Sequence, residues 1–304
     1  MGEVFYWLFN MSVAASLAGT VIALVRRFRR IPRRVAVILW IIPFLRFWFP
    51  FGIGSRYSLM TLLSRFTTRT VTVYEGKLAS FSVMNSVMAA NSYFPITYKV
   101  DLLGDVFEIA AVVWAILAGA VVITMAVLCF TTISELKTAD RLRDHVYLSN
   151  KVTSPAVYGI FRPRIVIPAS VSDSADLDLI LLHEERHIRR LDNLWRIAAF
   201  LTAALHWFNP LAWLFLKLFL SDLELACDES ALARLPADGK KRYAHALLNA
   251  EESKTLFASA FGGAKIRTRI EHVLSFRRMT AVSAVGSAVL AAVIAYVLLT
   301  NAAP

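Results

Sequence analysis

Cysteine is nearly absent from this chain: Cys129 and Cys227 are the 2 in 304 residues. One lies in an apolar run and the other in a distant polar stretch, so no disulfide framework is expected. Charge is scarce as well. Only 18% of residues are charged, against about 25% in soluble domains. Acidic residues are the rarer sign, 22 against 33 basic, leaving a net charge of +11. No nucleic-acid reader motif accompanies that excess, so direct nucleic-acid binding is not expected. No positive charge precedes the first apolar run, which argues against a cleaved signal peptide. Internal repeats and low-complexity tracts are missing too.

What is abundant is apolar surface. The chain is 57% hydrophobic with a mean hydropathy of +0.57, where soluble proteins are about 45–50% apolar. This is a membrane composition. Apolar runs at about 5–25, 35–53, 106–130 and 280–300 predict four transmembrane helices. Arg26, Arg27, Arg29, Arg30, Arg33 and Arg34 follow the first run, which puts that end in the cytoplasm and the N-terminus outside. The basic residues set this topology or meet anionic lipid. Asn10, Ser12, Ser16 and Gly19 are spaced for helix packing. Pro43 should kink the second run. Arg46 inside it needs a partner or must snorkel, and Glu108 is the expected partner.

The three runs and an outside loop, 54–104, make up residues 1–130. Thr67–Tyr74 alternates like a short strand, and Asn91 to Pro95 reads as a turn. The loop is long enough to receive a signal. Residues 131–278 read as a cytoplasmic α+β domain, and 279–304 as the fourth span with a short outside tail. Within the domain, His145–Leu148 and two proline-bounded segments between Ser154 and Pro168 predict strands. Proline confines such strands to a sheet edge, where an extended peptide can add. A helix over 174–192 with Ser174 as N-cap comes next. An apolar hairpin, 194–220, breaks at Asn209-Pro210, and Ser221 or Asp222 caps a further helix.

The chemistry concentrates in the 174–192 helix. Leu181 to Arg190 contains H-E-x-x-H. Positions four apart lie on one helix face. His183 and His187 can thus offer two imidazoles to one zinc ion, with Glu184 as general base. A catalytic zinc takes three protein ligands and leaves a position for water. The third is expected to be Glu224, which the hairpin returns to the first helix. Cys227 is the rival, although it is expected to point off the Glu224–Asp228 face. Asp228, one turn on, can accept a histidine's free N–H and set its tautomer. Tyr243 and His245 are candidates for stabilising the oxyanion, and His206 reads as a satisfied hairpin residue.

Taken together, these residues resemble the BlaR/MecR-type sensor-transducer metallopeptidases. Ser154 to Pro168 looks like that family's strand block, and LLHEERHIRRLDNL (181–194) like its zinc helix. Asn209-Pro210-Leu211-Ala212-Trp213 and Glu224 to Glu229 look like its hairpin and third-ligand helix. Tyr243-Ala244 and Arg269-Ile270 fit the segment beyond. The resemblance covers about residues 1–300. It implies four transmembrane helices around a cytoplasm-facing gluzincin-like zinc protease in the bacterial inner membrane. The implied ligands are His183, His187 and Glu224, with Glu184 as base. The implied activity is cleavage of a cytoplasmic repressor, of winged-helix type, or of the protein itself near the last span. Ile266 to Thr280, with Ser275-Phe276 in it, is the expected self-cleavage segment.

Two departures stand out. Glu185 and Arg186 replace small or apolar residues common inside the family motif. The extracellular penicillin-binding sensor of the best-known members, which controls antibiotic resistance, is not expected here. A separate extracytoplasmic sensor or the 54–104 loop would then receive the signal; a homodimer is left open. The competing functions are a membrane quality-control or maturation protease resembling CAAX and heat-shock peptidases, and an inactive scaffold or receptor.

Overall fold

The computed structural model describes residues 2–28, 31–49, 52–67, 102–136, 139–172, 174–236, 239–251 and 264–302. The protein is mainly helical, with a small sheet. Helix α1 (Gly2–Val25) is followed by α2 (Arg33–Leu39) and α3 (Ile41–Trp48), then by strand β1 (Gly54–Ser55) and α4 (Leu59–Thr67). After α5 (Leu102–Glu135) come β2 (Asp140–Arg143), β3 (Val146–Leu148), β4 (Ala156–Tyr158) and β5 (Arg164–Ile167). The chain continues through α6 (Leu177–Arg189), α7 (Asp192–Leu205), α8 (Pro210–Leu232), α9 (Gly239–Glu251), α10 (Ile266–Ser275), α11 (Ala281–Leu299) and β6 (Asn301–Ala302).

Three of these helices are long and apolar enough to cross a bilayer: Val4–Val25, Val106–Thr131 and Ala281–Leu299. The second expected span differs. It is a broken pair, α2 and α3, joined at Trp40, and each helix is too short to cross alone. The pair packs against α1 and α11. Its far end meets the C-terminal end of α11, where β1 and β6 pair in parallel. Residues 54–67, expected as loop, form β1 and α4 instead. The expected strand over Thr67–Tyr74 does not form at Thr67, which ends α4; its remainder, and the 91–95 turn, lie outside the described residues.

Arg46 corrects a second expectation. It does not pair with Glu108, which is exposed. It is buried, and its guanidinium donates to Leu298 O at 2.9 Å, Thr300 O at 2.5 Å and Asn301 Oδ1 at 2.5 Å. The physical reason is the helix end. The last carbonyls of α11 have no intrahelical partner and carry the negative end of the helix dipole, so a five-donor fork suits them.

The expected apolar hairpin is α7 and the first half of α8. Asn209 caps α8: its side chain accepts from Leu211 N at 2.9 Å, with Pro210 at the first turn, where proline costs no hydrogen bond. The same amide donates to Ser12 Oγ and Ser16 Oγ, both at 2.7 Å. One turn along α1, a Cβ added to Gly19 would meet Phe215 Cε2 at 2.2 Å. The small residues of α1 therefore admit α8 at close range.

No new helix begins at Ser221 or Asp222, because α8 runs through them unbroken. Asp222 is fully buried. It accepts from Arg26 Nε at 2.6 Å and Nη2 at 2.8 Å, from Arg33 Nη1 at 3.2 Å and from Trp40 Nε1 at 2.9 Å. The four-stranded sheet has the order β2-β3-β5-β4, with β3 and β5 parallel and the other pairs antiparallel. Gly159, at φ +88, turns β4 toward β5. Ile165 and Ile167 of β5 pack on Leu181 of α6, so the sheet backs the motif helix.

Removing the Asp222 charge leaves Arg26 and Arg33 without their shared counter-ion. Asp222→Asn should lower stability by about 3–5 kcal/mol, as expected when one member of a buried ion pair is lost. The check is the thermal unfolding midpoint of the purified protein in detergent.

Candidate metal centre

The centre is built from α6 and α8, with α9 and α10 behind them. His183, Glu184 and His187 are all buried on α6. The Nε2 atoms of the two histidines lie 3.1 Å apart. Glu224 on α8 places Oε2 3.7 Å from His183 Nε2 and Oε1 3.7 Å from His187 Nε2. Donor atoms on one face of a tetrahedral zinc site are separated by about 3.3 Å, given bonds of about 2.0–2.1 Å. The triangle of two imidazoles and one carboxylate fits such an ion with small adjustments.

The tautomers can be worked out from the partners. Asp228 is buried and can only accept hydrogen bonds when ionised. Tyr243 Oη donates to Asp228 Oδ1 at 2.9 Å. The same hydroxyl lies 2.9 Å from His183 Nδ1, so it accepts from an Nδ1–H. His187 Nδ1 faces Asp192 Oδ2 at 2.6 Å and must carry its proton likewise. In the neutral imidazoles both Nε2 lone pairs then face the same side, the form a metal requires, with Arg269 Nη2 3.2 Å from that of His183. Asp228 thus lies where the sequence suggested, against the His183 ring, at 3.3 Å from Nδ1.

Electrostatics favour a cation here. Burial pulls His187 down, but Cys227, Glu224 and the hydrogen bond to Asp192 lift it to about 9. Glu224 is held well below the usual carboxylate range: His187, Arg196 and Arg269 outweigh the effect of burial. Burial pushes the Cys227 thiol up, and the two histidines more than reverse it.

Two corrections follow. Cys227 does not point away: it is buried, and its sulfur falls within a 4.8 Å cluster with His183 and His187. Residues 224, 227 and 228 share one face by the i, i+3, i+4 rule. Its thiol contacts His183 O at 3.4 Å. Tyr243 is not free to meet an oxyanion, since its hydroxyl is committed to His183 and Asp228. His206 lies away from the centre, as expected of a hairpin residue, and contacts Phe47 O at 3.2 Å, although its buried Nδ1 has no hydrogen-bond partner.

Several participants were not read from the sequence. Asp192 begins α7 after a two-residue turn in which Leu191 adopts φ 55. That left-handed conformation costs a non-glycine residue about 1–2 kcal/mol, and it brings Asp192 back under His187. The signal was available as a carboxylate five residues after the second histidine. Arg269 of α10 is buried and donates to Asp228 from Nε at 2.9 Å and Nη2 at 2.7 Å. It also lies 3.5 Å from Glu224 Oε2 and 3.2 Å from His183 Nε2. Arg196 of α7 donates to Glu224 Oε1.

Glu184 makes no side-chain hydrogen bond among the described residues. It lies close enough to Tyr158 of β4 to help burial raise that phenol's pKa. Strand β4 is an edge strand, as the prolines suggested, but β5, bounded by Pro163 and Pro168, lies inside the sheet between β3 and β4. The β4 edge is only partly open, because Asn193 Nδ2 donates to Val157 O at 2.9 Å and Gly159 O at 3.1 Å.

Fold and centre together define a membrane protein whose helix pair presents the residues of a metallopeptidase site. The chain belongs to the BlaR1 peptidase M56 family, whose pattern matches residues 6–277. It is similar to the regulatory protein BlaR1 of Bacillus licheniformis, with 28% identity over 137 residues, 44% of this chain and 23% of that protein. It is also similar to the methicillin resistance mecR1 protein of Staphylococcus aureus, strain Mu50. There the identity is 26% over 103 residues, 33% of this chain and 18% of the relative. The matched part thus spans less than a quarter of either relative's length.

Asp192→Ala removes the acceptor that fixes the His187 ring. Zinc affinity is expected to fall by about 10- to 100-fold, the usual effect of losing such an outer partner. Competition with a chromophoric chelator measures it.

Proposed function

We propose that this protein is an integral-membrane zinc metalloendopeptidase that relays an extracytoplasmic signal by cleaving a cytoplasmic transcriptional repressor or itself. The observation that carries the reading is the convergence of two Nε2 atoms and one carboxylate beside a glutamate, Glu184, whose side chain makes no hydrogen bond among the described residues. His183, His187 and Glu224 would hold the zinc, and Cys227 stands beside them as a softer alternative donor. Zinc, when bound, supplies a water whose pKa falls toward ~7 and a Lewis acid for the peptide carbonyl.

The remaining work falls to the chain. Glu184 accepts the proton of the attacking water and returns it to the leaving amine, a role worth typically 10²–10⁴-fold. Asp228 with Tyr243, and Asp192, hold the two imidazoles in register. Arg196 and Arg269 keep Glu224 ionised and aimed. A substrate peptide would lie along β4, near Tyr158, using the groups that Asn193 leaves open. The active site would face the cytoplasm of a bacterial inner membrane, with both ends of the chain outside.

The signalling role rests on the resemblance to regulatory BlaR1 and mecR1 proteins. The proposed self-cleavage segment is Ile266 to Thr280, with Ser275-Phe276 in it. Ser275 is the last residue of α10, and its hydroxyl bonds Glu271 O at 2.7 Å. Cleavage there would require the last turn of α10 to unwind, since a peptide must be extended to be cut.

Glu184→Ala should retain zinc and lose cleavage by at least about 100-fold. Metal analysis of the purified variant, with comparison of cellular cleavage products against wild type, provides the test. A variant that loses zinc, or one that still cleaves, would overturn the assignment of Glu184.

A further inference from the structure

A cavity of about 890 Å³ opens on the side of α8 away from the sheet. It lies where the turn after α1, the end of α8, the last turns of α10 and the start of α11 converge. Helices α1 and α11 are candidate spans, ending at Val25 and beginning at Ala281. The cavity therefore lies at the head-group level of any bilayer they cross.

Its walls carry two chemistries. Ile31, Leu225, Phe276 and Met279 are apolar, and the charged wall holds Arg33, Arg34, Arg277 and Arg278 against Glu229 and Glu271. The acids are already partnered. Glu229 accepts from the backbone amides of Arg33 at 2.9 Å and Arg34 at 3.3 Å, and meets His272 at 3.0 Å. Glu271 pairs with Arg267 at 2.9 Å.

The cations are not equally satisfied. Arg33 is bound to Asp222. Arg34 donates from Nη2 to the Glu229 backbone carbonyl at 2.5 Å, but its carboxylate contact with Glu229 is loose, at 3.9 Å, and its buried Nε has no hydrogen-bond partner. Arg278 donates to Leu235 O at 2.9 Å and meets no carboxylate among the described residues. Arg277 makes no hydrogen bond or ion pair among them. Beyond the cavity mouth, Val282, Val285, Val289 and Val293 form an exposed apolar stripe along α11, 84%, 65%, 58% and 54% accessible.

We infer that this cavity binds the head group of an anionic phospholipid. Its phosphate is held by Arg277, Arg278 and Arg34, and its acyl chains lie along the α11 valine stripe. Basic pockets beside transmembrane helices hold acidic head groups in this way. The apolar half of the wall and the stripe select a lipid over a free phosphate, which would leave both bare. The inference is independent of the peptidase reading.

Titrating the full chain in neutral detergent with short-chain phosphatidylglycerol, followed by native mass spectrometry, tests it. Wild type should bind phosphatidylglycerol in preference to phosphatidylcholine. Loss of each arginine charge should weaken binding about fivefold, so Arg277→Gln with Arg278→Gln should weaken it about 30-fold. Arg277→Gln alone breaks no hydrogen bond or ion pair among the described residues, keeps the Leu235 contact and should give about the fivefold step with an unchanged thermal midpoint. Arg141→Gln with Arg143→Gln, on exposed β2, should change nothing. Equal affinity in the Arg277 variants, or equal loss in the β2 control, overturns the site. Competition by inorganic phosphate at equal concentration overturns the choice of a lipid.

Discussion

A single buried carboxylate organises the helical body. Asp222 accepts four hydrogen bonds from Arg26, Arg33 and Trp40, and none of those groups lies on its own helix. An unpaired charge at that depth would cost several kcal/mol. The turn between α1 and α2 must therefore close over α8 at one height and in one rotation. Rotation matters because α8 is shared. Its Asp222 faces the α1–α2 turn, while Glu224 and Asp228, on the opposite side, face α6 and α10. Fixing the first face fixes the second. Asn209 at the start of the same helix, bonded to Ser12 and Ser16, fixes the other end against α1.

The candidate centre shows the same economy of constraint. Two imidazoles alone could present either nitrogen. Asp192 takes Nδ1–H of one, and the Tyr243–Asp228 pair takes that of the other, leaving Nε2 of both toward Glu224. Asp228 is fully ionised because Arg269 donates to it twice. Four helices meet in this arrangement, α6, α8, α9 and α10, packed through Leu179, Ala231, Tyr243 and Val273. The two imidazoles are preorganised by these partners, whereas Arg269 at His183 Nε2 and Arg196 at Glu224 Oε1 would have to give way to an incoming ion.

The parts of this protein that were legible in the sequence are those carried by local pattern. H-E-x-x-H encodes its own geometry, since helical periodicity alone puts His183 above His187. Long apolar runs announce α1, α5 and α11 for the same reason. Asn209-Pro210 marks a helix start because cap and proline act within one turn. Part of what escaped was set by contacts across more than a hundred residues. Nothing near Arg46 says that its acceptors lie on residues 298–301. Asp222 reads as a cap beside Ser221, and only the distant arginines reveal it as a buried counter-ion. Cys227 was misplaced for a different reason: the i+3 neighbour of Glu224 was set aside although helix geometry includes it. The second span was expected as one helix kinked by Pro43; it breaks fully at Trp40, in the turn before that proline, which cannot donate to the Leu39 carbonyl.

The clamp around Arg46 and the contacts of Arg269 mark the two ends of one continuous stretch. At one end, the carbonyls of Leu298 and Thr300 and the side chain of Asn301 bind Arg46. Ser58 Oγ also donates to Thr300 O at 2.6 Å, and Ser55 Oγ lies 2.9 Å from Tyr296 Oη. From there α11 runs without interruption to Ala281, and only residues 276–280 separate it from α10, which carries Arg269. A helix is stiff along its axis because each turn is hydrogen-bonded to the next. Axial displacement of α11 would therefore have to be absorbed at three places: the Arg46 clamp, the short joint beside the arginine-lined cavity, or the Arg269 contacts with Asp228 and Glu224. The first and last are buried charged networks, where partial separation is costly. The joint is exposed from Arg277 to Thr280, and it is the weakest of the three.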